Sequence, residues 1–360
     1  MSVIEATETT EATEAPYWQI CGAERDDTDM ACLRDLRAEL KAAQDGAVIA
    51  PLTHFGLIVC AGVEARGFLH AQVTSDINHL REKQASYAGW CNAKGRLLAN
   101  FLLWQTPLPR ADARPGQEAS GKEERFVLQL SRDLIEPVLR RLRLFILRTR
   151  ADLDVLGAQR LFGLSGDVAT DRLQASVDDD LPTEVLGVWQ GRLRTGVDGA
   201  RALVPAQLIR LGPARWQLSV DAADATRVWL YFAEVLTPVG ADAWRWLEVR
   251  AGTPWISAAT SEAFVPQMIG LDRMGGVSFH KGCYPGQEVV ARARYLGKVK
   301  RHLFRLQGEE PMHAGEPTST LSGRIVNAAL TPEGDHCALA VLQAGRAESA
   351  TRVFPPRDDE

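Results

Sequence analysis

The sequence predicts an α+β protein of three parts: two mixed α/β units followed by a small C-terminal β-barrel. Three observations lead there. The chain has 360 residues, more than one hydrophobic core usually organises. Strand-like and helix-like segments alternate up to about residue 297 without a dinucleotide-binding glycine pattern. From about residue 298 onward only short strands separated by turns follow, in KRHLFRL, GRIVNAAL and HCALAVLQ.

The N-terminal end is set apart by composition. ATETTEATEA at residues 6–15 is repetitive, acidic and poor in large apolar groups, so its ordering entropy has nothing to offset it, and residues 1–45 read as an acidic, largely disordered leader. Near its end Cys32, Leu33, Leu36 and Leu40 give residues 30–45 an amphipathic pattern that suits a short helix. FGLIVCAG at 55–62 reads as a buried strand, and 63–73 as the helix after it. YAGWC and RLLANFLLW form a hairpin around Asn92-Ala93-Lys94-Gly95, and a polar Pro/Gly loop fills 105–124. RFVLQL at 125–130, a helix near 132–143 and FILRTR at 145–150 complete the first unit. The second begins near LFGLSG at 161, with strands at 184–195 and 215–220 and a helix at 223–236. The expected domains are 46–155 with 245–297, then 156–244, then 298–356.

Composition excludes several function classes. The apolar fraction of 46%, charged fraction of 24% and mean hydropathy of −0.14 are those of an ordinary globular chain, and no run reaches the roughly 18 apolar residues of a membrane helix. Neither a secretory signal nor a mitochondrial leader is recognisable at residues 1–16, so a cytoplasmic location is expected. Six cysteines stand far apart with no C-x-x-C pair, which reads as reduced thiols. The net charge of −5 hides an asymmetry: residues 1–50 hold eleven acids against four bases, whereas 281–305 carries Lys281, Arg292, Arg294, Lys298, Lys300, Arg301 and Arg305 against Glu288 alone. Such a patch is either a solvated face or an attractor for an anion. There is no Walker loop, no H-E-x-x-H and no metal-like histidine pair, and GLSGD at 163–167 misses the nucleophile elbow by its last residue; no metal site is expected.

The informative segment is GGVSFHKGCYPGQEVVARARYLG at 275–297. Gly282 and Gly286 permit unusual backbone angles, while Pro285, Gln287 and Glu288 look like a helix start. Cys283 would then sit just before a helix N-terminus with Lys281 two residues away, a setting that favours the thiolate. The same residues also suit a small buried residue beside a tight turn.

Lys281-Gly282-Cys283-Tyr284-Pro285-Gly286-Gln287-Glu288, continuing into Ala291-Arg292, resembles the K-G-C-Y-x-G-Q-E signature of YgfZ-type proteins in the aminomethyltransferase (GcvT-like) superfamily. FLHAQVTSDI, NAKGRLLANFLLW, VRAGTPWI and FVPQ resemble that family's other blocks in the same order, so the resemblance spans residues 52–305. It implies the three-domain fold of the glycine-cleavage aminomethyltransferases around a tetrahydrofolate site, and a role in maintaining iron–sulfur enzymes that affects tRNA modification indirectly. It further implies Cys283 as a functional thiol beside Lys281, and a folate contact set of Phe55, Trp244, Tyr284, Gln287, Glu288 and Arg292. Reduced folate and iron–sulfur enzymes or their assembly proteins are the implied partners; neither a membrane nor direct nucleic-acid binding is expected.

Two alternatives belong to other classes. One is aminomethyl transfer, which needs acids on the hairpin strand; the matching positions are Ala99 and Asn100, and Arg250 replaces the acid of the transferases' E-A-G segment. No transferase turnover is therefore expected. The other is a scaffold that only binds protein or RNA, suggested by the basic patch. Permanent carriage of a cluster is disfavoured by the cysteine spacing.

Overall fold

The computed structural model describes residues 32–107, 123–146, 148–197, 200–295, 300–318, 322–344 and 350–355. The repetitive acidic segment, most of the polar loop at 105–124, Cys21 and Lys298 lie outside the described residues.

The chain enters on α1 (Leu36–Asp45), capped by Asp35, whose carboxylate accepts from Arg37 N at 3.2 Å. Glu39 on this helix is buried and accepts from Leu33 N, Arg34 N and Gly240 N at 2.7–2.8 Å, which ties the entry segment to the start of a later helix. There follow β1 (Val48–Pro51), β2 (Phe55–Gly62), α2 (Ala65–Gln72), β3 (Ala85–Cys91), β4 (Leu97–Gln105), β5 (Glu124–Ser131), α3 (Ile135–Arg143) and β6 (Asp152–Val155). A five-stranded antiparallel sheet orders these as β3-β4-β5-β2-β6. The hairpin turn lies where the sequence places it. FILRTR, however, is no strand: Leu144 and Phe145 are exposed, and the edge strand falls at 152–155, where Leu153 points inward between two aspartates.

Next come β7 (Gln159–Ser165), α4 (Asp167–Ser176), β8 (Val188–Val197), β9 (Ala200–Gly212), β10 (Arg215–Asp221), α5 (Ala225–Ala233), β11 (Thr237–Pro238) and α6 (Ala241–Ala251). The six-stranded sheet runs β11-β1-β7-β10-β9-β8, so the early strand β1 pairs here rather than with β2. After α7 (Gln287–Tyr295), the strands β12 (Arg301–Gly308), β13 (Gly323–Leu330), β14 (His336–Gln343) and β15 (Thr351–Arg352) form an antiparallel sheet in the order β13-β14-β12-β15. The three long strands coincide with those read from the sequence, but among the described residues the sheet is open and does not close into a barrel. β13 and β15 remain its edges.

One continuous core joins the first sheet to α6 and to the inner side of the C-terminal sheet, through residues such as Trp104, Trp244, Trp255, Ile256, Val326 and Leu339. The helix α6 is the hub of this arrangement, packing on α1, β1, β13 and β14. Among the described residues no helix is long and apolar enough to cross a membrane.

Candidate functional site

Two clusters gather the chemistry. The first surrounds Trp255, in the extended segment after α6. Asn100 on β4 is fully buried and grips this segment from one side: Nδ2 donates to Pro254 O at 2.9 Å, and Oδ1 accepts from Ile256 N at 2.7 Å. Asn327 on β13 grips it from the other, accepting from Trp255 N and donating to Trp255 O, both at 2.8 Å. The backbone of 254–256 is thus satisfied by two amide side chains from different sheets, which is how an irregular segment stays buried.

The fixed indole makes a wall. Its ring lies 4.5 Å from that of Phe55 at 58°, and Phe55 in turn lies 4.1 Å from the His54 imidazole. Trp255 Nε1 donates to Glu248 Oε1 at 3.1 Å, and the other carboxylate oxygen lies 3.4 Å from His54 Nε2. Both His54 ring nitrogens are buried; Nε2 faces the Glu248 carboxylate without a well-aligned hydrogen bond and Nδ1 has no partner, and burial holds the imidazole below its usual pKa, so it is neutral near pH 7. These groups border a cavity of about 560 Å³ together with Arg132, Asp133, Arg245 and His313.

Of the residues singled out in the sequence, Phe55 lines this cavity; Trp244, Lys281, Tyr284, Gln287, Glu288 and Arg292 are not part of its lining. Trp244 is 1% exposed and packs on Gly163, where a Cβ would lie 2.4 Å from its ring, with the Arg215 guanidinium 5.9 Å from its centre. Sequence reasoning missed His54, Glu248, Trp255 and Asn327. Trp255 lies within the quoted VRAGTPWI block, and its place after a proline in an apolar stretch is the one signal that could have found it.

The second cluster is the turn at 281–288. Cys283 is exposed. Lys281 is not beside it as a free cation: its ammonium is buried, donates to Val73 O at 2.5 Å and to His70 O, and lies 5.1 Å from the Tyr284 ring centre. Both carbonyls belong to the C-terminal end of α2, so Lys281 caps that helix and is held against its negative pole. Burial brings its pKa down to about 8. The helix α7 starts at Gln287, four residues beyond Cys283. Gly286, at φ +78°, carries the chain past the hairpin tip, where a Cβ would lie 2.4 Å from Asn92 O. Tyr284 is buried and its phenol pKa is pushed up by burial. Gln287 reaches back to Lys281 O at 3.5 Å, while Glu288 and Arg292 face solvent.

Ala99 and Asn100 are both fully buried, and the Asn100 amide is engaged at both ends by backbone. Position 100, matched by the resemblance to an acid of the transferases, is occupied here by a structural amide. Among the described residues no group of three or more His, Cys, Asp or Glu side chains is arranged so that it could hold a metal ion.

Comparison with known proteins gives a consistent picture. No family model matches the chain. The chain is 32% identical over 270 residues to the tRNA-modifying protein YgfZ of Colwellia psychrerythraea, covering 74% of each, and 29% identical over 278 residues to that of Vibrio vulnificus, covering 77% of this chain and 75% of the relative. Among solved structures it is similar to the glycine cleavage system aminomethyltransferase T from Bartonella henselae, with a TM-score of 0.64 over 86% of this chain and 82% of that one. At 15% identity that likeness concerns the fold.

Proposed function

The chain belongs to the YgfZ family, and from that premise we propose that it is a reduced-folate-binding auxiliary protein that supports iron–sulfur enzymes and, through them, tRNA modification. The observation that carries this reading is the Trp255 cavity, whose wall is held in place before any ligand arrives. Its residues fit tetrahydrofolate. Phe55 and Trp255 offer ring faces, the unpartnered His54 Nδ1 and the Glu248 carboxylate offer a polar edge, and Arg132 and Arg245 offer charge for a glutamate tail. Bound folate would supply one-carbon chemistry or simply stabilise the fold; the chain's own residues bind and orient it. In this reading Trp244 backs the site from the core. Tyr284, Gln287, Glu288 and Arg292 shape the turn that presents Cys283, the working thiol, in the cytoplasm.

Aminomethyl transfer is not part of the proposal, because Asn100 supplies no acid and its amide cannot turn towards a substrate without freeing two buried backbone groups. The direct test is titration of the purified protein with tetrahydrofolate, followed by intrinsic fluorescence, since Trp255 is one of nine tryptophans and forms the cavity wall. Saturable quenching that is weakened in Phe55→Ala is the expected result. Failure to bind any reduced folate would overturn the folate reading.

A further inference from the structure

A second cavity, of about 870 Å³, opens between the end of α1, the start of α4, the β9–β10 turn and the C-terminal end of α6, and it shares no lining residue with the Trp255 cavity. Two features of its lining are not explained by the fold. The first is the Arg215 guanidinium. Its Nη1 donates to Leu247 O at 2.9 Å and Nη2 to Thr253 Oγ1 at 3.4 Å, whereas Nε is buried with no hydrogen-bond partner. The acid that faces it, Glu248, is committed elsewhere, with one oxygen on Trp255 Nε1 and the other beside His54 Nε2. A guanidinium withdrawn from water without its own counter-ion is costly, and burial pulls its pKa below the ordinary arginine value. The second feature is the apolar rim: Val168 and Val185 line the cavity yet are 50% and 54% exposed.

A second cation joins them. Arg250, at the position where the resemblance places the acid of the transferases' E-A-G segment, is exposed and lines the same cavity, its guanidinium 5.3 Å from the Trp246 ring centre. No side chain caps the start of α4, which follows Gly166 at φ +107°. The two acids of the lining are Asp45, held by Lys41 at 3.0 Å, and Asp167 in the first turn of α4.

We propose that this cavity binds a small organic anion, a carboxylate or a phosphate monoester on an apolar body, with Arg215 and Arg250 supplying the charge. Both guanidinium groups only donate, and the hydroxyls of Ser165 and Thr253 lie in the same lining, so the donor set suits an oxyanion. Val168 and Val185 cover the carbon body, and the cavity has the size of a small-molecule site. A bound oxyanion would give the buried guanidinium the counter-ion that Glu248 does not provide.

The inference does not depend on the folate reading. Its test uses the full-length protein and three probes, inorganic phosphate, phenyl phosphate and benzoate, each titrated against sodium chloride at equal ionic strength with melting temperature as the readout. A ligand that binds only the folded state raises that temperature. Saturable stabilisation is expected, reached at lower concentration with the better of the two aromatic probes than with inorganic phosphate; which of the two that is identifies the anion as phosphate or carboxylate. Arg250→Gln, a surface change, is expected to need about tenfold more probe for the same shift. Val185→Ser should weaken the aromatic probes and leave inorganic phosphate unchanged. Arg132→Gln, in the Trp255 cavity, should respond as wild type does, which separates the two cavities. Melting temperatures that merely follow the chloride control with all three probes would overturn the proposal. So would a wild-type response to the aromatic probes in Arg250→Gln, or a response lost in Arg132→Gln instead.

Discussion

Around Trp255 the polar groups are buried and nearly all engaged with backbone or with each other, whereas around Cys283 the sulfur is exposed while the flanking Lys281 and Tyr284 are buried. Under the proposed function the difference follows from what each place would have to do. A cavity that holds a planar ring needs its walls fixed in advance, since every wall left to order on binding lowers affinity. A thiol that reacts with another molecule needs access, and its environment has to act through a neighbour rather than by enclosure. In this chain the first centre is built by amide side chains reaching in from two sheets, and the second by a loop pinned at its ends by Lys281 and Gly286.

If that contrast is right, the two centres separate under mutation. The largest effect expected is the loss of cellular function in Cys283→Ala with no loss of structure: activity of iron–sulfur enzymes and cluster-dependent tRNA modification fall to the level of a deletion strain. The melting temperature and folate affinity of the purified variant stay at the wild-type values, because the thiol is exposed rather than part of the core. Full complementation by Cys283→Ala would return the residue to a surface position without a role. Asn100→Ala is the converse. It strands Pro254 O and Ile256 N in the core, at about 2–4 kcal/mol for two unsatisfied buried groups, and it loosens Trp255. Denaturant unfolding and folate titration are expected to report both losses, while Cys283 alkylation in the folded variant stays unchanged.

Lys281→Met falls between the two. It keeps the aliphatic stem on Tyr284 but leaves the His70 and Val73 carbonyls at the end of α2 without their donor, a cost of about 1–3 kcal/mol near neutral pH. The pH dependence carries a sign. Lys281 titrates near pH 8 when folded and near 10.4 when unfolded, so in that window the unfolded chain holds the extra proton and wild-type stability gains as pH rises. The gap between wild type and Lys281→Met in chemical denaturation should therefore widen from pH 8 to 10, and a constant gap would show that the ammonium is not the buried species.

The sequence made the frame of both centres legible to different depths. Strands β2, β4, β5 and β10 declared themselves because their apolar residues are continuous or alternate cleanly and turn residues bound them. The 13-residue strand β9 did not: Pro205 lies in its middle, just beyond the last residue, Ala206, that β10 pairs with, so on that side the ladder loses nothing to the missing N–H. The thiol turn could be read because it is local, eight consecutive residues of unusual composition. The cavity could not, because Asn100, Glu248, Trp255 and Asn327 are spread over more than two hundred positions and become neighbours only when two sheets close on α6. The direction of Lys281 was likewise hidden. Spacing of two residues suggested a cation beside a thiol, while the carbonyls that claim it belong to a helix two hundred residues earlier.

The smallest effect is a titration that distinguishes the two histidines. His54 is enclosed beside the cavity, and its pKa is lowered first by burial and then by the Arg245 charge, against the opposing pull of Glu248 and Asp242. His70 is lowered by burial and Lys281 but remains partly open to water. In the unfolded chain both take up a proton near pH 6.5, and in the folded chain both do so only at lower pH. Between those values the unfolded state binds more protons, so acidification from about pH 6.5 to 5 destabilises the fold through each group. The enclosed histidine has the greater hold. His54→Gln should flatten the decline of melting temperature over that range more than His70→Gln does. Adding saturating tetrahydrofolate to wild type should steepen the decline, because protonation of His54 then also opposes a bound ligand. Equal slopes in the two variants would mean that the His54 ring gains water or a partner that its buried Nδ1 does not now have, and the cavity would have to be regarded as open rather than preformed.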